Sequence, residues 1–168
     1  EIIAEPMRAI GMNPEEFKGR IREVRRAFQE AMRAHGQNTK LDFSDLSDDQ
    51  LTDDYHYFIF PNVTCNIFAD WVLVFRQRPH PNDPDKMFFD ISTIHRFPED
   101  AERPPFPDHE QFSHGDKSLG LVLDQDSVNV PHIQKGMRSA GYKGLWISQQ
   151  ERRIRHFHAT LMGYVEGG

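Results

Sequence analysis

Cysteine, basic residues and long apolar runs are all scarce in this sequence, and each shortage excludes a class of protein. The single cysteine, Cys65, rules out an internal disulfide and is typical of a reducing compartment, so we expect a cytoplasmic location. The 26 acidic residues outnumber the 20 lysines and arginines, and the resulting net charge of −6 argues against nucleic-acid binding. No apolar run approaches the roughly 18 residues of a membrane span, and no signal peptide is recognisable. We therefore expect neither a nucleic acid nor a membrane as partner.

The sequence is, by contrast, rich in aromatic side chains. Thirteen Phe, four Tyr and two Trp are large apolar groups with which to build a core. A chain of 168 residues suits one domain and buries roughly 70% of its unfolded surface. We therefore expect residues 1–168 to belong to a single domain. The first residue is Glu1 rather than methionine, which indicates a fragment or the ordered part of a longer chain.

The first third of the sequence predicts a linker, a helix and a loop. Residues 1–13 have the character of a connecting segment. Asn13 is a favoured helix cap, Pro14 suits the first helical position and Glu16 has capping-box spacing. Apolar residues then recur at helical steps from position 17 to position 31, and Gly36 predicts the stop. This helix is expected to be an ordinary amphipathic surface helix, followed by an acidic loop over 42–54.

The middle of the chain predicts an antiparallel sheet. Segments 55–60, 63–68, 71–76 and 87–94 are rich in β-branched and aromatic residues and are separated by turn residues. The links between them are too short for parallel crossovers, so the strands form a meander. Residues 97–116 are rich in proline, charge and histidine and are expected to form a long loop, which is often a functional feature in a compact domain.

Two helices are expected at the end of the chain, which makes the fold α+β. The first is predicted from about Asp126 to Ser139, with Pro131 in or near its first turns. Ser148 and Glu151 have the spacing of a capping box for the second. The predicted buried stripe of that second helix is Ile154, Phe157, Leu161 and Val165.

Four segments of the sequence together resemble the motifs of a single protein family. Residues 53–62, D-D-Y-H-Y-F-I-F-P-N, resemble the family's aromatic strand that ends in F-P-N, and 76–85 resemble its R-x-x-P…P-D turn. Residues 124–139 resemble its E-x-D-x(7)-Q-x-G-(L/M)-x-S pattern, with Asp124 in place of Glu. Residues 144–158 resemble its G-L-x-L-S-x-Q-E-x-x-I-x-H-F-H ending. The family that these segments resemble is that of the alpha subunits of Rieske non-haem iron ring-hydroxylating oxygenases. The resemblance covers about 50–165, and the order and spacing of the segments are more specific than any one of them.

This resemblance implies a fold and a chemistry. The implied fold is a helix-grip (START-like) domain, in which an antiparallel sheet wraps a long C-terminal helix. The implied centre is one mononuclear Fe(II) held by two histidines and one carboxylate, with a [2Fe–2S] Rieske cluster on a separate N-terminal domain. The implied reaction uses O₂ and NAD(P)H-derived electrons, delivered by a reductase and in some cases a ferredoxin, to hydroxylate or cis-dihydroxylate an aromatic or other apolar compound for catabolism. The implied assembly is a homo-oligomer such as a trimer, or a complex with a beta subunit.

By match to the motif, Asp126 is the acidic iron ligand and Asp124 is the alternative. A plain N-cap of the following helix is the competing structural explanation of Asp126, and one carboxylate can serve both roles. Because side chains alternate along a strand, Phe58 and Phe60 are expected to share one strand face, and so are Asn66 and Phe68. We expect the substrate contacts among these four and the loop residues before the acid, although ordinary core packing also explains them. The candidate substrate-binding residues are Phe58, Phe60, Asn66, Phe68, Leu121 and Leu123.

The sequence departs from the family pattern in two respects. The family's D-x-x-H-x(4)-H helix, which holds the two histidine ligands, is expected before Glu1, and no Cys-x-His pair for the cluster is present. His109 and His114 repeat the H-x(4)-H spacing and, with Asp126, define an alternative metal site within the chain. His56 is expected to be a hydrogen-bonded sheet histidine. Two other functions stay open: a metal-free helix-grip domain that binds an apolar ligand, and a structural interaction domain.

Overall fold

The computed structural model describes residues 3–167 and divides the chain into two compact units, one ending at Pro104 and the other beginning at Pro105. The first unit holds two α-helices and the sheet, and the second holds the last two α-helices. The predicted α+β class, with an antiparallel sheet, is confirmed. Within residues 3–167, no helix combines the length and the apolar composition needed to cross a bilayer.

The N-terminal segment is more helical than its sequence predicts. The prediction of a connecting segment over 1–13 was wrong, because helix α1 occupies Ala4–Ala9 and buries Met7; residues 1 and 2 lie outside the described range. Asn13 is a cap, as predicted, and its side chain accepts a hydrogen bond from the Glu15 N–H. The cap serves a short 3-10 turn, Pro14–Phe17, and helix α2 begins only at Ile21.

Helix α2 spans Ile21–Thr39 and passes through the glycine predicted to end it. Its C-terminal cap is Lys40, a non-glycine residue in the left-handed region at φ 59°. Gly36 lies inside the helix because the chain returns against it. A Cβ built there would sit 2.6 Å from Cδ2 of Phe43 and 2.9 Å from the carbonyl oxygen of Leu41. Gly36 therefore permits close packing, and the prediction that it stops the helix was wrong.

The core of the first unit lies between α2 and the acidic loop that follows it. Met32 of α2 packs with Leu41, Phe43 and Leu51, all of them nearly or fully buried. A second 3-10 turn, Asp49–Leu51, places Leu51 in this cluster. The loop predicted over 42–54 is thus a packed segment that covers the apolar face of α2.

Ion pairs join the exposed rim of α2 to the same loop. Arg25 binds Asp49 at 2.6 Å and Asp53 at 2.5 Å, and Arg33 binds Asp48 at 2.6 Å. The Arg25 side chain remains 51% exposed, so these pairs are expected to contribute little individually. Arg33 also donates to the carbonyl oxygen of Leu46 and thereby fixes the path of the loop.

The sheet is the meander that the sequence predicts. Strands β1 (Tyr55–Ile59), β2 (Val63–Ile67), β3 (Trp71–Pro79) and β4 (Met87–His95) are hydrogen-bonded in chain order, and every neighbouring pair is antiparallel. β3 continues three residues beyond its predicted end at Arg76 because β4 pairs with it as far as Pro79. β1 ends at Ile59, so Phe60 belongs to the turn and the predicted strand was one residue too long.

The long loop that was predicted is present, and it runs from the end of the first unit into the second. No helix or strand occurs between His95 and Leu121. Helix α3 then spans Leu121–Met137, with Gly120 at its N-cap position. The predicted start at Asp126 was five residues late, because Pro131 lies in the middle of α3 and not in its first turn.

Helix α4 spans Arg152–Val165 and begins just after the predicted capping box. Half of that box is present: the Glu151 carboxylate accepts the Ser148 N–H at 2.7 Å. The predicted burial of the apolar stripe was wrong for this chain, since α4 has no buried residue and Ile154 and Val165 are 46% and 68% exposed. Within the described part of 105–168, no element covers that stripe.

Candidate functional site

Helix α3 carries the two candidate acidic residues, and helical geometry places them on different faces of the helix. Asp124 lies in its first turn and Asp126 follows two positions later. Residues two positions apart on an α-helix do not face each other, so the two carboxylates point to different sides of α3. They therefore cannot both serve one small site by direct contact.

The carboxylate of Asp124 is hydrogen-bonded to the loop before the helix through both of its oxygens. Its two oxygens accept hydrogen bonds from the Ser118 hydroxyl at 2.5 Å and from the Leu119 N–H at 2.7 Å. The Ser118 hydroxyl oxygen also accepts the Gly120 N–H at 3.2 Å. The Ser118 hydroxyl first, and then the Leu119 N–H, lower the pKa of the Asp124 carboxyl below its ordinary value. Each oxygen of the Asp124 carboxylate thus already accepts one hydrogen bond.

Asp126 differs from Asp124 in every one of these respects. It is exposed, and among the residues that the structure describes none donates a hydrogen bond or an ion pair to its carboxylate. The N-cap explanation of Asp126 was wrong, because α3 begins at Leu121 and Asp126 lies inside it. Its carboxylate is therefore available to an outside ligand such as a cation.

The alternative metal site within the chain does not form. Across residues 3–167, no group of three or more His, Cys, Asp or Glu side chains is arranged to hold a metal ion, so His109, His114 and Asp126 are not brought together. The described residues fit an iron site only in part, because they supply the carboxylate of a two-histidine, one-carboxylate ligand set. They offer one free anionic oxygen ligand on α3 and no pair of imidazoles beside it.

The sheet brings two of the four predicted substrate contacts onto one face. His56 of β1 pairs across the ladder with Asn66 of β2, and Phe58 lies two residues from His56, so Phe58 and Asn66 share a face. The His56 Nδ1–H donates to Asn66 Oδ1 at 2.5 Å, which confirms His56 as a hydrogen-bonded sheet histidine. Phe58 is 45% exposed and belongs to the surface of the sheet.

The other predicted contacts lie at the margins of regular structure. Phe68 follows β2 and stacks on Trp71, with ring centroids 4.4 Å apart, while Phe60 lies in the turn after β1. Leu121 and Leu123 were expected in a loop but occupy the first turn of α3, with Leu121 63% exposed. A substrate-binding role for all six residues remains a prediction.

The sequence reasoning missed the part played by Ser118. The loop before the acid was expected to contribute substrate contacts, and no contact between Ser118 and Asp124 was predicted. The two residues are six positions apart, which matches neither a capping box nor any helical spacing. Ser118 and Gly120 are both residues that favour turns, and this was a sequence signal of a turn at this point.

Comparison with protein families gives a match over nearly the whole chain. Residues 9–167 match the family model described as "Ring hydroxylating alpha subunit (catalytic domain)". Searches of curated proteins and of solved structures returned no match. The family match includes α3 with both acidic residues and the entire sheet.

Proposed function

We propose, from the premise that this chain belongs to the family of ring-hydroxylating alpha-subunit catalytic domains, that it is part of the catalytic domain of a Rieske-type oxygenase. The parent enzyme would hydroxylate or cis-dihydroxylate an aromatic or other apolar compound. It would use O₂ and NAD(P)H-derived electrons. The observation that carries the proposal is the free carboxylate of Asp126 on α3, beside an Asp124 whose oxygens are engaged.

In this proposal Asp126 supplies the carboxylate ligand of a mononuclear Fe(II). A carboxylate oxygen is a hard anionic ligand, and it is the one charged member of a two-histidine, one-carboxylate set. No cluster of three possible metal ligands exists within residues 3–167. The two imidazoles would therefore be supplied by another part of the parent enzyme. Bound iron would supply the oxygen-activating chemistry. The task of this chain is then to hold one anionic oxygen in a fixed direction.

The electron supply and the assembly are part of the same proposal. A [2Fe–2S] Rieske cluster would lie on another part of the parent enzyme, since the only cysteine of this chain, Cys65, is buried in β2. A reductase and possible ferredoxin would act as redox partners. The oligomer would be a trimer of alpha subunits or a complex with beta subunits. A cytoplasmic location fits the unpaired cysteine.

The substrate is proposed to lie on the sheet face that carries Phe58 and Asn66. An aromatic ring gains from offset or edge contacts with Phe58 and with the stacked pair Phe68 and Trp71. The Asn66 side chain would be the polar group that orients the substrate. Its Oδ1 is bound to His56, which leaves the amide N–H groups to donate.

The test uses the oxygenase that contains this chain, with Asp126→Ala and Asp124→Ala as a matched pair. Asp126→Ala is expected to lose iron and product formation while the visible spectrum of the cluster persists, because the cluster has its own ligands. Asp124→Ala is expected to retain iron at saturating Fe(II). Iron content, the visible spectrum and oxygen uptake with a panel of aromatic substrates are measured.

The opposite result reassigns the ligand. If Asp124→Ala lost iron and Asp126→Ala kept it, the ligand would be Asp124. If both variants kept iron and activity, the carboxylate would lie elsewhere. An enzyme that takes up no oxygen with any substrate and electron donor would instead indicate a metal-free domain that binds an apolar ligand.

A further inference from the structure

We propose that Asp124 is a positioning residue. It fixes the junction between the 105–120 loop and α3, and thereby sets the direction in which the Asp126 side chain points. The inference rests on the proposed function, because it assigns Asp124 a task only if Asp126 is the ligand. It assigns no ligand role to Asp124 itself. It is carried by contacts among Ser118, Leu119, Gly120 and Asp124, which we call the junction clamp.

In the junction clamp, both the side chain and the backbone of Asp124 bind residues of the loop. The Asp124 carboxylate accepts the Ser118 hydroxyl and the Leu119 N–H, while the Asp124 N–H donates to the Gly120 carbonyl oxygen at 2.9 Å. The Ser118 hydroxyl oxygen accepts the Gly120 N–H in turn. Three hydrogen bonds thus join Ser118, Leu119 and Gly120 to Asp124 in the first turn of α3, and a fourth joins Gly120 to Ser118 before the helix.

This arrangement differs from an ordinary N-terminal cap. An N-cap side chain lies before the helix and accepts N–H groups of its first turn. Here Gly120 occupies the N-cap position and has no side chain to do so, and the accepting carboxylate lies inside the helix and reaches back to the loop. The contact ties the loop to the first turn of the helix. Successive side chains of an α-helix are rotated by about 100°, so a first turn that unwound or joined the loop at another residue would rotate relative to the loop.

Rotation of the first turns matters because Asp126 lies only two positions beyond Asp124. Its carboxylate has no hydrogen-bond partner among the described residues that would fix its direction, so the helix backbone alone aims it. A metal ligand set tolerates little error in direction, and groups that orient ligands affect affinity about 10- to 100-fold. Asp124 would exert this effect through the helix, with no contact to the metal.

The experiment compares Asp124→Ala with Asp116→Ala in the oxygenase that contains this chain. Asp116 is the matched control, because its carboxylate accepts the Ser113 N–H at 3.2 Å within the same loop but does not touch α3. Hydrogen exchange of the iron-free protein reads the clamp directly. Asp124→Ala is expected to accelerate exchange of the Leu119 N–H about tenfold, the effect of one lost hydrogen bond to a charged group. Asp116→Ala should leave it unchanged.

The second readout is Fe(II) affinity together with the ligand-field bands of ferrous iron, which respond to ligand geometry. Asp124→Ala is expected to weaken Fe(II) binding about tenfold and shift these bands, and Asp116→Ala should do neither. Ser118→Ala should have a smaller effect than Asp124→Ala. The double variant should be no worse than Asp124→Ala alone, because both changes break the same clamp.

The outcomes separate this inference from the proposed function. Faster Leu119 exchange with unchanged iron affinity and spectrum in Asp124→Ala would reduce the clamp to local loop structure, and Asp126 would remain the ligand. Unchanged exchange at Leu119 would refute the clamp itself. Retention of iron by Asp126→Ala would refute the ligand assignment, and the positioning role would fall with it.

Discussion

At the scale of single residues, Gly36 shows how one missing Cβ permits a core to form. The carbonyl oxygen of Leu41 and the ring of Phe43 occupy the space that any larger side chain would need. Phe43 is only 4% exposed and belongs to the main hydrophobic cluster. A glycine in a helix costs about 1 kcal/mol relative to alanine, so its presence here reflects packing and not helix propensity.

We predict that Gly36→Ala lowers the free energy of unfolding by about 1–2 kcal/mol, because overpacking outweighs the gain in helix propensity. Gly163→Ala is the matched control. Gly163 also lies within a helix, α4, but a Cβ there meets nothing within 4 Å. The control should be neutral or more stable by up to about 1 kcal/mol. Chemical denaturation measures both, and a stabilising Gly36→Ala would contradict the packing described here.

At the scale of elements, the β3–β4 ladder contains a carboxylate that is paired with two arginines. Asp90 of β4 accepts the Nε–H groups of Arg76 at 2.9 Å and Arg78 at 2.8 Å. A further bond runs from Arg78 to the second carboxylate oxygen at 2.9 Å. The Arg78 guanidinium, and then that of Arg76, hold the pKa of the Asp90 carboxyl well below its ordinary range. The pair of strands is therefore joined by charge as well as by the backbone.

The sign of the resulting pH dependence follows from that lowered pKa. The folded state favours ionised Asp90, so the contribution to stability is present above the unfolded pKa of about 3.9 and is lost as the pH falls through the lower folded value. We predict that Asp90→Asn lowers the melting temperature at neutral pH and that the difference from the parent shrinks in acid. Asp108→Asn, at an exposed loop position, corrects for the change in net charge. A difference that grows as the pH falls would contradict this account.

Helix α4 has an amphipathic sequence pattern, but no element within the described part of 105–168 covers its apolar face. Its apolar positions recur at helical spacing, yet none of its residues is buried. Hydrophobic periodicity shows which face of a helix is apolar, but it does not show which surface packs against that face. The predicted cap is nevertheless half present, because the contact between Glu151 and Ser148 is local to the chain.

At the scale of the whole molecule, the ligand count governs what the chain does with iron. We predict that this chain, purified alone with Fe(II) under anaerobic conditions, retains far less than stoichiometric iron. One carboxylate and water hold Fe(II) much more weakly than a three-ligand set does. Metal analysis after desalting is the measurement. Near-stoichiometric iron that is lost in His109→Ala or His114→Ala would contradict the ligand count and restore the alternative site.

The sequence by itself determined the features that depend on neighbouring residues. Alternating β-branched and aromatic residues with short turns predicted the four strands and their antiparallel order, and the structure confirms both. The motif order predicted the family, which the match over 9–167 confirms. Asn13 and Glu151 make the local capping contacts that their spacing predicted. Local periodicity and turn chemistry are written in a few adjacent positions and need no distant partner.

Tertiary structure alone decided where the helices begin and end, and hence how the acidic residues differ. Gly36 continues α2 because Phe43 packs against it, although glycine usually ends a helix. α3 starts at Leu121, before the position that Pro131 suggested, and the carboxylate of Asp124 reaches back to Ser118 and Leu119 at that start. These outcomes depend on contacts that form only in the folded chain, and each such contact contributes about 1 kcal/mol, which is as large as most single-residue helix propensities. The linear pattern contains both aspartates, and only the fold shows which of them is already engaged.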